Sequence, residues 1–366
     1  MNIENISIVG LGLIGGSMAK ALRRTNPNFI ITAMDKNEEN QLLAKQDGGI
    51  DKAADNLRDA VKDAHVIFLC TPVHSISEML RELGTIVRPG TIITDVGSIK
   101  SSIMKEAEQT FPDDIHFIGG HPMAGGERSG YASSIAHLFE NAYYVLTPRT
   151  GTPSSAVKNL ESLISSTGAL PLVLDPLTHD IRVGAVSHLP HIIAATLVNT
   201  VKEWDNSEQS IQKLAAGGFK DITRIASSQP EMWRDICLSN KEQLLPMIND
   251  FIQKLTQFRK ELESSNKADI EVFYRQAKDF RDQIPSTESL YNLPYYMVYV
   301  DVEDRPGSIG EVASFLGDRN VNIKNMQIIN SREDEPGCLV LSVEDKSAQE
   351  KAVYLLNQAG FYAYTR

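Results

Sequence analysis

The 366-residue chain has few cysteines and little tryptophan, three and two residues respectively. Cys70, Cys237 and Cys338 are far apart, odd in number and form no C-x-x-C pair. Neither a disulfide framework nor a zinc site is expected, no metal is assigned, and a reducing compartment suits such thiols. Positive charge is also scarce. Lys and Arg number 36 against 47 Asp and Glu, a net charge of −11, with no basic cluster. Nucleic-acid binding needs a basic face for the phosphates, so that class is excluded. No apolar run approaches the ~20 residues that cross a bilayer. A strand pattern begins almost at once, leaving no room for a signal peptide. A soluble, cytoplasmic protein without a membrane partner is expected.

What remains is an ordinary globular composition, 42% hydrophobic and 23% charged, over a length that implies more than one domain. Its most informative stretch is Ile6-Ser7-Ile8-Val9 followed by Gly10-Leu11-Gly12-Leu13-Ile14-Gly15. The four-residue run reads as a buried strand, and the glycines fall at G-x-G-x-x-G spacing. Gly10 allows a tight turn, Gly12 lets backbone approach a pyrophosphate, and Gly15 lets a helix pack close to the strand. Leu13 and Ile14 open that helix, where unpaired N–H groups and a partial positive charge attract an anion. A second strand, 29–34, ends in Asp35, which can accept the ribose hydroxyls of NAD and repel the 2′-phosphate of NADP. The alternative is a glycine-rich turn with no ligand.

Up to about residue 175, apolar runs at 6–9, 29–34, 65–70, 91–95, 115–119, 143–146 and 170–174 alternate with helical patterns. That alternation predicts a mostly parallel, helix-covered sheet, whose ligands bind beyond the carboxyl ends of the strands. Polar, Gly and Pro residues collect there: Thr71-Pro72, Asp95 to Lys100, and Gly120 to Glu127. His121 can take a proton near neutral pH, as oxidation of an alcohol by hydride transfer requires; the alternative is a loop cap. Ser98 could orient that imidazole, or act as N-cap of a helix over 99–108. Thr71-Pro72 could equally be a strand stop, and Glu127-Arg128 a solvated pair.

From about residue 178 to 283 the pattern is helical. Residues 242–262 carry an apolar stripe at three- and four-residue steps. A long helical domain in this position commonly forms a dimer interface. Ser187-His188-Leu189-Pro190-His191 holds two histidines without a third metal ligand near in sequence, which favours hydrogen bonding. Arg224 falls within an apolar helical pattern, where an unpaired charge would cost on the order of 3–5 kcal/mol. Asp221 could pair with it along the helix; a substrate carboxylate is the other candidate.

Together these segments resemble the prephenate dehydrogenases of tyrosine biosynthesis. The resemblance is carried by Gly10 to Gly15, Asp95-Val96-Gly97-Ser98-Ile99-Lys100, Gly120-His121-Pro122-Met123-Ala124-Gly125, His179-Asp180 with Ser187 to His191, and Phe219 to Ala226. It implies NAD-dependent oxidative decarboxylation of prephenate to 4-hydroxyphenylpyruvate. It implies His121 as the catalytic histidine and Ser98 as the serine near it. It further implies His191 and Arg224 as substrate-binding positions, with Glu127 and Lys220 near the pocket mouth. Arogenate dehydrogenase is the close alternative, and a non-catalytic NAD or amino-acid sensor the distant one.

Residues 284–293 read as a linker. Beyond them strands at 295–302, 322–330, 337–343 and 361–365 and helices at 308–319 and 347–359 make a βαββαβ pattern. Asp304-Arg305-Pro306-Gly307, with Asn322 and Ile323 opening the second strand, resembles an ACT domain. That resemblance implies an amino-acid effector, L-tyrosine being the end product; the alternative is a turn in a domain that only dimerises. The expected architecture is thus α/β. A Rossmann-like sheet over 1–175 is followed by an all-helical substrate and dimerisation domain over 176–284. A ferredoxin-like ACT domain over 294–366 completes the chain, in a homodimer.

Overall fold

Aliphatic and β-branched runs become strands, the central ones buried on both faces. β1 (Asn5–Val9), β2 (Ile30–Met34), β3 (Lys52–Ala53), β4 (Val66–Leu69), β5 (Ile92–Asp95), β6 (His116–Pro122), β7 (Tyr143–Pro148) and β8 (Leu170–Val173) form one sheet. Its order is β3-β2-β1-β4-β5-β6-β7-β8. The pairs through β6 are parallel, β7 runs antiparallel to β6, and β8 runs parallel to β7. The structure is a computed structural model describing residues 3–126, 128–205, 210–284, 296–303, 305–329 and 338–365.

Side chains alternate across the sheet. Ile6, Ile8 and Phe68 pack into one core with Met18, Leu22 and Tyr144. Val9, Ile67 and Leu69 pack into the other with Leu80, Ile93 and Phe117. Helices α1 (Leu13–Thr25), α2 (Glu38–Gln46), α3 (Leu57–Val61), α4 (Val73–Ile86), α5 (Ser101–Thr110) and α6 (Ser154–Ser166) supply the covering layers. The order reverses at β1, which has β2 on one side and β4 on the other. Such a reversal opens a crevice at the carboxyl edge. The expected sheet is therefore present; only the two-residue β3 goes unforeseen, being too short to show a period.

The sheet leads into α7 (Pro176–Val183), a π-helical turn (Gly184–His188) and α8 (Leu189–Trp204). These make one helical stretch of 29 residues, Pro176–Trp204, long and apolar enough by length and composition to cross a membrane. The expectation that no segment reaches that size is corrected. Polar residues interrupt the segment, so it reaches that size on helix length and mean hydropathy without an unbroken apolar run. Next come α9 (Ser210–Leu214), α10 (Gly217–Thr223), a 3₁₀ turn (Arg224–Ser227), α11 (Pro230–Ser239), α12 (Lys241–Glu263) and α13 (Lys267–Gln283). The predicted stripe at 242–262 is α12.

The chain divides into two compact units, Met1–Gln257 and Phe258–Arg366. In the second, β9 (Tyr296–Asp301), α14 (Ser308–Gly317), β10 (Ile323–Ile329), β11 (Cys338–Val343), α15 (Lys346–Gln358) and β12 (Tyr362–Tyr364) realise the βαββαβ pattern. The sheet order is β10-β11-β9-β12, all pairs antiparallel. Val298, Val300, Val312, Leu316, Leu339, Leu341 and Leu356 form its core. The expected linker lies, after Ile284, outside the described residues.

Candidate active site

The glycine turn has the geometry its spacing predicts. Gly10 has φ +99°, and a Cβ there would stand 2.6 Å from the Cys70 carbonyl oxygen and 3.1 Å from Thr71. A Cβ on Gly15 would lie 1.9 Å from the Gly10 oxygen, so neither position admits a side chain. Gly12 differs, because a Cβ there meets no protein atom within 4 Å. The space above Gly12 is open, and its backbone caps α1 at Leu13 with no side-chain hydrogen bond. The first N–H groups of the helix, from Leu13, Ile14 and Gly15, therefore face that space. Thr71 and Pro72 follow β4, with Pro72 at the cap of α4. Asp35 follows β2; its carboxylate accepts from Leu11 N at 2.5 Å and Asn37 N at 2.7 Å. An open cradle, a helix N-terminus and a fixed carboxylate fit a dinucleotide with free ribose hydroxyls.

Farther along the same edge lies a buried polar network. His121 is the penultimate residue of β6 and is only 9% exposed. Its Nδ1 is 2.8 Å from His179 Nε2, and His179 Nδ1 is 2.7 Å from Asp180 Oδ1. Asp180 also accepts the backbone N–H groups of Lys100 and Ser101, each at 2.8 Å, and so caps α5. The expectation of Ser98 as an N-cap is corrected: α5 begins at Ser101, and a carboxylate from α7 caps it. Ser98 sits half-buried in the turn between β5 and α5.

Lys100 is fully buried; its Nζ pairs with the buried Asp95 carboxylate and donates to the Gly120 carbonyl at 2.8 Å. Asp95 in turn accepts from Gly97 N and Gly120 N. This ion pair ties the turn after β5 to the residue before His121. Neither partner was singled out from the sequence beyond the motif that contains it.

The π turn supplies the next wall. Gly184 allows close packing, since a Cβ there would be 3.2 Å from Asn240 Nδ2 and from Met247 Cε. Asn240 donates to the Asp180 carbonyl at 3.0 Å and to His188 Nδ1 at 3.1 Å. His191 donates from Nδ1 to the Ser187 carbonyl at 2.9 Å and stacks on Trp233, centroids 3.5 Å apart. A neutral His191 thus offers a lone pair at Nε2, and it can donate to a carboxylate only when protonated.

Burial sets the charge states. It pushes His121 well below the usual histidine value, helped by His179, Lys100 and His188. It depresses His188 to about 4 against the pull of Asp180. It lowers His191 too, the Ser187 hydrogen bond opposing and the Arg224 charge assisting. Burial opposes the charge on Asp180, but hydrogen bonds from His179, Ser101 and Lys100 outweigh it and hold its pKa below the usual carboxylate range. At neutral pH His121, His188 and His191 are therefore neutral, beside a charged Asp180.

Electrostatic influence links His121 to His188, His188 to His191, and His191 to Arg224. The guanidinium itself is exposed, as are Lys220 and Asp221. The expectation of an Arg224 charge sunk in an apolar helix is corrected: α10 and the turn after it lie at the surface of the chain. Glu127 and Asp304 fall outside the described residues. In the second unit Gly307 has φ +98° and caps α14 beyond the end of β9. Ile323 lies in the strand row of Val343 and Tyr296, at the opposite end of that sheet, with exposed Asn322 beside it. A single ACT unit does not bring its candidate effector residues together.

His179, Asp180, Asn240 and Trp233 are the contributors that pattern reading left without a role. The adjacent His179-Asp180 pair ahead of two further histidines was the available signal.

Comparison with known proteins agrees with this geometry. The family description "Prephenate dehydrogenase, nucleotide-binding domain" matches residues 18–172. "Prephenate dehydrogenase, dimerization domain" matches 175–278, and "ACT domain" matches 296–358. A prephenate dehydrogenase of Bacillus subtilis is 39% identical over 350 residues, covering 95% of this chain and 94% of the relative. One from Lactococcus lactis is 35% identical, covering 98% of each. The crystal structure of prephenate dehydrogenase from A. aeolicus, in complex with hydroxyphenyl propionate and NAD+, superposes with a TM-score of 0.73 at 33% identity. That match covers 78% of this chain and 99% of that one. With an open dinucleotide cradle and a buried imidazole on one sheet edge, and relatives aligned along nearly its whole length, the chain belongs to the prephenate dehydrogenase family.

Proposed function

We propose that the protein carries out NAD-dependent oxidative decarboxylation of prephenate to 4-hydroxyphenylpyruvate. The observation that carries this reading is the neutral His121 imidazole held at the carboxyl end of β6, on the edge that bears the glycine cradle. Gly12 and the N-terminus of α1 would seat the pyrophosphate, Asp35 the ribose, and Thr71-Pro72 the wall beside them. NAD bound there supplies the hydride acceptor. His121 takes the proton of the ring hydroxyl as the C–H bond at that carbon gives up its hydride. The ring carboxylate then leaves as carbon dioxide, its bonding pair makes the ring aromatic, and the proton on His121 returns to the phenolic oxygen.

Arg224 would hold the side-chain carboxylate, since tight pairing of the departing carboxylate would oppose its loss. His191 assists by fixing the wall with Trp233. Ser98, in the turn beside the site, would contact the reacting hydroxyl or His121, with Lys220 and Glu127 near the entrance. Exposed apolar residues such as Val186, Trp204, Leu245 and Ile252 lie within the segment matched as a dimerization domain, which supports a homodimer. The ACT domain supports feedback by L-tyrosine; Gly307 lies at the opposite end of the sheet from Asn322 and Ile323, so a site using all three would take two such units side by side.

Initial rates with prephenate or arogenate, each with NAD or NADP, test this reading. Prephenate with NAD is expected to be fastest, with NADP at least tenfold poorer because of Asp35. Absence of turnover with either substrate would overturn the reading, and faster arogenate oxidation would reassign the substrate.

A further inference from the structure

The hydrogen-bond chain behind His121 has a direction, and that direction bears on catalysis. The Asp180 carboxylate is ionised and can only accept, so His179 must donate to it from Nδ1. A neutral His179 then has a bare Nε2, which can only accept. The 2.8 Å contact to His121 Nδ1 is a hydrogen bond only if His121 donates. His121 is neutral, so its one proton is on Nδ1 and its Nε2 carries a lone pair. An isolated imidazole side chain in water favours the other tautomer, with the proton on Nε2, which could not accept a hydroxyl proton there.

We propose that His179 and Asp180 are positioning residues that lock His121 into the tautomer whose Nε2 serves as the base. The logic is that of a catalytic triad, with a second imidazole inserted between base and carboxylate. Three features show that the chain is built rather than incidental. Asp180 is fixed by two backbone N–H groups of α5 as well as by His179. His179 has no solvent exposure and Asp180 has 2%, so water does not compete for these atoms. The Asp180 carbonyl is held by Asn240, which also engages His188. The arrangement further gives the His121 ring one orientation, since its Nδ1–H has a single buried acceptor.

This inference rests on His121 acting as the base in the reading above, and two measurements keep the failures apart. The first is nitrogen NMR of the full-length wild-type enzyme carrying labelled histidine, with the His121 signals assigned by His121→Asn. The expected spectrum shows Nδ1 protonated and Nε2 bare at neutral pH, without any substrate present. A protonated Nε2 would overturn the lock whatever the enzyme's substrate.

The second measurement compares His179→Leu with His179→Gln. The leucine variant removes the acceptor, and kcat should fall roughly 10- to 100-fold with KM for prephenate changed less than about twofold. The glutamine amide oxygen can accept from His121 Nδ1, so His179→Gln should recover most of that loss. Equal activity of wild type and His179→Leu, or equal damage from both substitutions, would overturn the proposal. If His179→Leu fails to fold, the wild-type spectrum and His179→Gln still decide: a bare Nε2 and near-normal kcat support the lock, and a protonated Nε2 refutes it.

Discussion

An imidazole acts as a base only through a nitrogen that carries no proton, and its surroundings choose that nitrogen. Here a carboxylate two hydrogen bonds away makes the choice for His121. The same burial that keeps His121, His188 and His191 neutral links stability to pH. Burial lowers His188 from 6.5 to about 4 in the folded protein. Between those values the unfolded chain binds more protons, so stability rises with pH across that window. It is intact above pH 6.5 and is lost as pH drops toward 4, by on the order of 3 kcal/mol from His188 alone. Urea unfolding at pH 7 and pH 5 checks this, and equal stabilities would contradict buried neutral imidazoles. The identity of His121 as a candidate was legible in the sequence because it follows a strand that ends among glycines. The roles of His179 and Asp180 were not, since they depend on a contact across 58 residues between β6 and α7. Arg224 misled for a related reason: apolar neighbours in a short helix do not reveal that the helix is superficial.

At the scale of elements, the site is made where regular structure ends or is interrupted. The glycine turn ends β1, His121 sits at the end of β6, and the π turn interrupts the helix from 176 to 204. An extra residue in one helical turn redirects the side chains that follow, and such turns cluster at functional sites. The strand-and-helix alternation was readable because each strand has its own apolar run. The π turn was not, since it spans only five residues inside a continuous helical stretch. The glycine turn gives a sharp contrast. Gly15→Ala puts a Cβ 1.9 Å from a backbone oxygen and should damage folding of β1 and α1. Gly12→Ala meets no protein atom and should change stability by less than about 0.5 kcal/mol while raising the NAD KM roughly tenfold or more. Thermal melts and cofactor titrations of the two variants separate these effects; a Gly12→Ala enzyme with an unchanged NAD KM would remove the cradle from this position.

At the scale of the molecule, two compact units divide the labour. The first carries the sheet and the histidine network, and the second carries the antiparallel ACT sheet. The βαββαβ order of the second was legible because each element is short, bounded and separately patterned. An effector site was not, because the candidate residues occupy opposite ends of one sheet. Truncation after Leu293 should therefore abolish inhibition by L-tyrosine while leaving prephenate turnover measurable. Undiminished inhibition would place tyrosine in the active site instead.

The central claim is that His121 is the group that removes the hydroxyl proton. The most direct measurement is the rate of NADH formation from prephenate and NAD by wild-type enzyme and by His121→Asn, each across substrate concentration. The account predicts a kcat lower by roughly 100- to 10,000-fold in the variant, with the KM for prephenate little changed. A His121→Asn enzyme that turns over prephenate at a near-normal rate would contradict it.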